Sequence, residues 1–195
     1  AFDFNGKNVT FNGNGFAASP QTAGSCQFAV SNPAGGGSLT FNSVNLSGFK
    51  SGNLGGGAIY ANSDVIISGG ASTFLNNQTT GSGGAIYANS DATLIARDGD
   101  LLFYGNRDNT GAAGEKANAL YTHNSGGNNT LTLAAVGGKS IYFYDPATSR
   151  SGTNLTIAIN NGANYTGAVV FDGSRYPGAT PADIADRTSA LHGDT

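Results

Sequence analysis

The sequence predicts an all-β chain, a right-handed parallel β-helix of about seven coils with three short strands in each. Three observations carry that prediction. The seven residues Gly56-Gly57-Ala58-Ile59-Tyr60-Ala61-Asn62 recur unchanged from Gly83 to Asn89. Each copy leads through Ser-Asp, an aliphatic run and a Gly-containing break into Phe-x-x-Asn, at Phe74–Asn77 and Phe103–Asn106. Finally, 31 of the 195 residues are Gly and only 11% are charged, against about 25% in an ordinary soluble domain.

Copy one continues after Ser63-Asp64 with Val65, Ile66 and Ile67, and copy two after Ser90-Asp91 with Leu94 and Ile95. A degraded third copy follows. Ala119-Leu120-Tyr121 matches Ala58-Ile59-Tyr60, with Ala117 and Asn118 in place of the glycine pair. Thr130–Leu133, a Gly137-Gly138 break and Ser140–Tyr144 complete it. Upstream, Ser38–Phe41 and Val44–Leu46 read as further rungs; downstream, Leu155–Ile159 and Ala168–Phe171 do the same. A period in the twenties with short strands and no helical pattern fits stacked coils, because one repeat cannot bury its own apolar face. Leucine-rich repeats share the period, but their Leu-x-x-Leu-x-Leu signature is missing. The right hand follows from the rule for parallel crossovers. Seven coils at about 4.8 Å would form a rod of roughly 35 Å.

Residue types agree with that geometry. Gly56-Gly57 and Gly83-Gly84 suit corners where the backbone needs a positive φ or a close approach. Alternation then sends Ile59, Ile86 and Leu120 inward as an aliphatic stack, and Tyr60, Tyr87 and Tyr121 onto an outer face. Phe74, Phe103 and Phe143 are expected to form an internal aromatic stack, with Asn77 and Asn106 laddered at the next turn. The Tyr column is the candidate contact face, since Tyr buries area at low entropic cost.

The two Gly-Gly-Ala-Ile and two Phe-x-x-Asn tetrapeptides resemble the repeats of the chlamydial polymorphic membrane proteins. Ser140–Pro146 and Asn164–Phe171 are similar to stretches that close the repeat region of that family. The resemblance implies an autotransporter passenger, shown at the bacterial cell surface or outer membrane or secreted, that acts as an adhesin toward a host-cell surface receptor, protein or glycan. It implies adhesion roles for Gly56, Gly57, Ala58, Ile59, Gly83, Gly84, Ala85 and Ile86, and for Phe74, Asn77, Phe103 and Asn106. Phe2–Asn5 and Phe11–Asn14 also fit Phe-x-x-Asn, but no Gly-Gly-Ala-Ile precedes them. Neither a leader nor the C-terminal barrel through which such a passenger attaches to its membrane can be read in these residues, so the chain reads as an excised segment. The alternatives are a structural spacer without binding of its own and a polysaccharide-degrading β-helix.

Other functions find little support. A net charge of −3 without a basic stripe argues against nucleic-acid binding. No apolar run approaches the roughly 20 residues of a membrane-spanning helix. Gly lacks the three-residue period of collagen, and 8 Tyr with 11 Phe argue against disorder. Cys26 is alone, which rules out an intrachain disulfide. Glu115 is the only Glu, and the densest acidic cluster, Asp98-Gly99-Asp100 beside Arg97, reads as a turn. His123 takes the place of Asn62 and Asn89 in the repeat, and His192 lies in a polar tail. Gly138-Lys139-Ser140 lacks the upstream Gly of a phosphate loop. The six Asn-x-Ser/Thr sequons match chance. No enzyme, cofactor or metal is expected, and the rod is expected to be a monomer.

Two segments stand apart from the coils. Arg107–Lys116 is a polar loop long enough to project from a corner and offers a second contact candidate. The coils are expected over residues 1–180 and a tail over 181–195. In that tail Thr180-Pro181-Ala182-Asp183 would start a short helix to about Leu191, with Ile184, Thr188 and Leu191 on one stripe.

Overall fold

Every backbone N–H and C=O in a short strand must find a partner, and in this chain the partners come from the coil before and the coil after. The computed structural model describes residues 7–20, 29–32, 35–52, 55–108, 116–124, 128–149, 154–172 and 191–193. Among these there is no helix, and parallel strands stack into a β-solenoid. The first face holds the leading halves of Val9–Ala18 and Ser38–Ser47, then Asp64–Ser68, Ala92–Ala96, Asn128–Ala135 and Asn154–Ile159. The second holds the trailing halves of the two long strands, then Ser72–Leu75, Leu101–Tyr104, Ser140–Phe143 and Ala168–Phe171.

The third face runs through Val30–Asn32, Ile59–Ala61, Ile86–Ala88, Leu120–Thr122, Ala147–Ser149 and Leu191–Gly193. Between the second and third faces lies a narrow strip of Lys50–Ser51, Gln78–Thr79 and Arg107–Asp108, bordered by Lys116–Ala117 in antiparallel pairing. Ser43, with φ of 56°, bends its long strand from the first face onto the second. One coil later Gly69 (φ 82°) opens the same corner and the strand divides in two.

The solenoid makes about five turns, not the expected seven. The difference lies in coil length. Phe74 and Phe103 are paired 29 residues apart, but Phe103 and Phe143 are paired across 40. The extra residues lie between Arg107 and Leu120 and between Thr122 and Leu131. The expected helix from Thr180 to about Leu191 falls largely outside the described residues, as do Cys26 and Glu115.

The interior follows the alternation read from the sequence. Ile59, Ile86 and Leu120 are in register and fully buried. Phe74 and Phe103 stack at 4.9 Å, Phe103 and Phe143 at 4.8 Å, and Phe171 continues the column at 5.1 Å. Leu39, Val65, Ala92 and Leu131 form one aliphatic column of the first face, and Phe41, Ile67, Leu94 and Leu133 form its neighbour. Each large side chain so buried contributes about 1.5–3 kcal/mol relative to exposure. Phe103 has a ring above and a ring below, so neither neighbour can collapse into its space. Phe103→Ala is expected to cost about 3–5 kcal/mol, whereas the outward Thr93→Ala stays within about 0.5 kcal/mol; urea unfolding followed by circular dichroism measures both.

Candidate functional site

The repeated tetrapeptides lie where coils approach most closely. Gly56 and Gly83 have φ of 60° and 73°, a region that L side chains rarely enter. Gly57 and Gly84 are there for a different reason, which is space. A Cβ on Gly57 would meet the Gly84 carbonyl oxygen and the Gln78 nitrogen; one on Gly84 would meet the Arg107 nitrogen and the Asn118 carbonyl oxygen. These are backbone atoms of the hydrogen-bonded neighbour. Gly57 N–H donates to Gly84 O at 2.9 Å, and Gly84 N–H donates to Asn118 O at 2.8 Å. Ala58, Ala85, Ile59 and Ile86 are completely buried.

In the third copy Asn118 replaces the second glycine. Its amide donates to the Asp108 carboxylate and to Thr148 Oγ1. The next coil turns this corner in only three residues, Tyr144-Asp145-Pro146, between Phe143 and the strand that begins at Ala147.

Asn77 and Asn106 form the expected ladder, fully buried. Asn77 Nδ2 donates to Leu46 O and to Asn106 Oδ1, both at 3.0 Å, while its Oδ1 accepts Phe49 N–H at 3.0 Å. Asn106 repeats the pattern one coil on, donating to Phe74 O at 2.9 Å and to Asp145 Oδ2 at 2.8 Å. The Asp145 carboxylate also accepts Asn106 N–H at 2.8 Å and Gly105 N–H at 3.0 Å. Asp145 thus takes the ladder position of the third coil. Sequence reasoning missed it because it stands two residues after Phe143, where Phe-x-x-Asn has three. Asp108 is a second buried acid, accepting from Gly83 N–H at 3.3 Å.

All twelve motif residues are therefore buried. Their geometry holds one coil to the next and offers no side chain to an outside molecule.

Tyr60, Tyr87 and Tyr121 do form a column, with centroids 5.1 and 5.5 Å apart. Their rings cover one another, and Gly55 packs on the Tyr87 ring. Tyr60 is 9% and Tyr121 7% exposed, with Tyr87 half-buried. The Tyr60 hydroxyl lies 3.1 Å from Asn62 Oδ1, and that of Tyr87 lies 3.4 Å from His123 Nδ1. His123 sits in the Asn62–Asn89 column, its N–H on Ala88 O as Asn89 N–H is on Ala61 O.

A wider outward surface lies on the second face. There Leu75 pairs with Tyr104, Leu102 with Tyr142 and Tyr142 with Val170, all half-buried and all pointing away from the Phe column. Tyr144 joins them, edge-on to Tyr104 at 5.9 Å and parallel to Tyr142 at 6.1 Å. Its sequence signal is the apolar residue on either side of each inward Phe, which strict alternation does not lead one to look for.

The remaining polar candidates behave as turns. Asp98 and Asp100 are exposed, and Asp100 Oδ1 accepts Ser140 N–H at 2.8 Å. Gly138 has φ of 77° in a turn closed by Lys139 N–H on Val136 O. Of the loop expected to project, residues 109–115 lie outside the described residues, as does the side chain of His192. Among the described residues no three His, Cys, Asp or Glu gather as a metal site.

Residues 71–89, which hold one complete Phe-x-x-Asn and one complete Gly-Gly-Ala-Ile, match the Chlamydia polymorphic membrane protein repeat. The chain belongs to the polymorphic membrane protein family of chlamydiae. It is similar to the probable outer membrane protein pmp1 of Chlamydia pneumoniae, 34% identical over 140 residues that cover 67% of this chain and 14% of the relative. It is similar also to pmp8 of the same organism, 32% identical over 149 residues, 70% of this chain and 16% of the relative. PmpG of Chlamydia muridarum is 34% identical over 125 residues, 60% of this chain and 13% of the relative. The chain thus spans only about one-seventh of the length of these relatives. No solved structure matches it.

Placement of the motifs makes a definite forecast for this polymorphic membrane protein segment. Gly84→Ala drives a methyl group into the backbone at Arg107 and Asn118, and Asn106→Ala strips buried partners from Asn77 and Asp145. Each is expected to lower stability by about 3 kcal/mol or more, seen as a lower urea midpoint, while Tyr142→Ser on the outer face leaves the midpoint nearly unchanged.

Proposed function

We propose that the chain is a passenger segment displayed at the bacterial surface, of autotransporter type, that binds a host-cell receptor as an adhesin and performs no chemical step. The relatives' names as outer membrane proteins support the location. One observation carries the mode of action: the twelve motif residues are buried, while Leu75, Leu102, Tyr104, Tyr142, Tyr144 and Val170 share one outward patch. Tyr is among the side chains enriched at the energetic hot spots of protein interfaces, and the patch holds three. Here the motifs act indirectly, by holding the strands that present the patch. The described carboxylates also fit a non-catalytic part, since Asp108 and Asp145 accept buried backbone and amide N–H groups.

The burial of every motif residue also favours a second reading, a spacer that only extends a binding region carried elsewhere in the full-length protein. Binding of the labelled chain to cultured epithelial cells separates the two. Saturable binding that falls about tenfold or more in Leu102→Ser/Tyr104→Ser/Tyr142→Ser, with unchanged circular dichroism, is the expected result. Binding lost only in Tyr87→Ser would move the contact to the Tyr column. A folded wild type that shows no saturable binding would leave the spacer.

A further inference from the structure

We propose that Asn161-Gly162 is, among the described residues, the preferred site of spontaneous conversion of asparagine to isoaspartate. The Gly162 backbone nitrogen attacks Cγ of Asn161. The new N–Cγ bond forms as the Cγ–Nδ2 bond breaks, and ammonia leaves with the proton of the Gly162 amide. Water then opens the succinimide at either carbonyl, to isoaspartate or aspartate. No electrons are exchanged, and water is the only co-reactant.

The chain contains four Asn-Gly pairs, so the chemistry is available at several places and structure decides between them. Asn5-Gly6 lies outside the described residues. Asn12 is paired in register with Asn42, and its Oδ1 accepts Asn42 Nδ2 at 2.9 Å. That bond holds the side chain away from the next amide. Gly13 presses on the next coil, where a Cβ would lie 2.5 Å from Ser43 O. Asn14-Gly15 sits between Asn12 and Phe16, both paired, and Gly15 O accepts Asn45 Nδ2 at 3.1 Å. Asn14 and Gly15 are exposed and lie in a break of register, but the break is short, closed by paired residues on both sides, and the Gly15 carbonyl is tied to the neighbouring coil.

Asn161-Gly162 is built differently. The turn is stapled at its base by Asn160, whose Oδ1 accepts Ala135 N–H at 2.8 Å and whose Nδ2 donates to Gly167 O at 2.9 Å. Asn160 N–H is bound to Leu133 O and Gly167 N–H to Ala135 O. Between these anchors residues 161–164 are all exposed, crossed by one bond from Tyr165 N–H to Gly162 O at 3.1 Å. Gly162 has φ of 144°, the Tyr165 ring packs against it, and Asn161 before it is exposed. The side chain of Asn161 and the peptide after it can therefore rotate into attack geometry while the base stays closed, a local motion that needs no opening of the solenoid. The product adds a negative charge and a backbone carbon to the turn that leads into Ala168–Phe171.

The test is peptide mapping by mass spectrometry after incubation of the full chain at neutral pH and body temperature. In the folded chain the peptide bearing Asn161 is expected to gain about one dalton first, with those bearing Asn12 and Asn14 lagging well behind. In guanidinium the three pairs should react at similar rates. Asn161→Gln should remove the modification without moving the urea midpoint. Reaction at Asn12 or Asn14 ahead of Asn161 in the folded chain would overturn the proposal. So would an Asn161 that changes only in guanidinium.

Discussion

Coil-to-coil stacking at one strand spacing, about 4.8 Å, governs the rest of this molecule. Each side chain has the equivalent residue of the next coil as its immediate neighbour, so a residue type survives only if it packs well against itself or a close relative. Flat rings meet that condition, and the Phe column repeats at 4.8–5.1 Å. A primary amide meets it too, because it donates and accepts at once. A glycine corner meets it because two backbones can then touch. The repeats in the sequence are the trace of this rule.

The same rule separates scaffold from surface. Inward positions answer to their neighbours above and below, and a change there is felt through several coils. Outward positions answer mainly to solvent. On the second face they shift from Asn45 and Thr73 at one end to Leu102, Tyr142 and Val170 at the other, along one register and without disturbing the Phe residues beneath. A family that keeps its coil and changes what it touches could vary such positions singly. The tetrapeptides that mark the family then report how the coil is held together.

Much of the fold was legible because self-stacking leaves a periodic trace. The Ile59–Ile86–Leu120 and Phe74–Phe103–Phe143 columns and the Asn77–Asn106 ladder stand where alternation puts them. Coil number was not legible, since the exact repeat shows a period in the twenties while Phe103 and Phe143, one coil apart, are separated by 40 residues. Asp145 was hidden by a one-residue shortening of the motif, which carries its carboxylate into an amide's place. The Tyr column was foreseen, and its rings, 5.1–5.5 Å apart, shield one another while Gly55 covers Tyr87. The second-face patch was missed because its members differ from coil to coil, so no repeat announces them.

The Asn ladder has a direction. Asn77 and Asn106 each take a bond from one side and hand one on, but a carboxylate such as that of Asp145 has no hydrogen to hand on. Recombination that copies a unit of the ladder therefore meets unequal ground along the rod. A duplicated coil inserted between Asn77 and Asn106 finds a donor on one side and an acceptor on the other, and closes without rewriting. Placed directly beyond Asp145, its amide oxygen would meet no side-chain donor and would rest on a backbone N–H alone, as Asn77 Oδ1 rests on that of Phe49. The two ends of the ladder are thus unlike: Phe49 opens it with a backbone N–H, and Asp145 closes it with a carboxylate that only accepts.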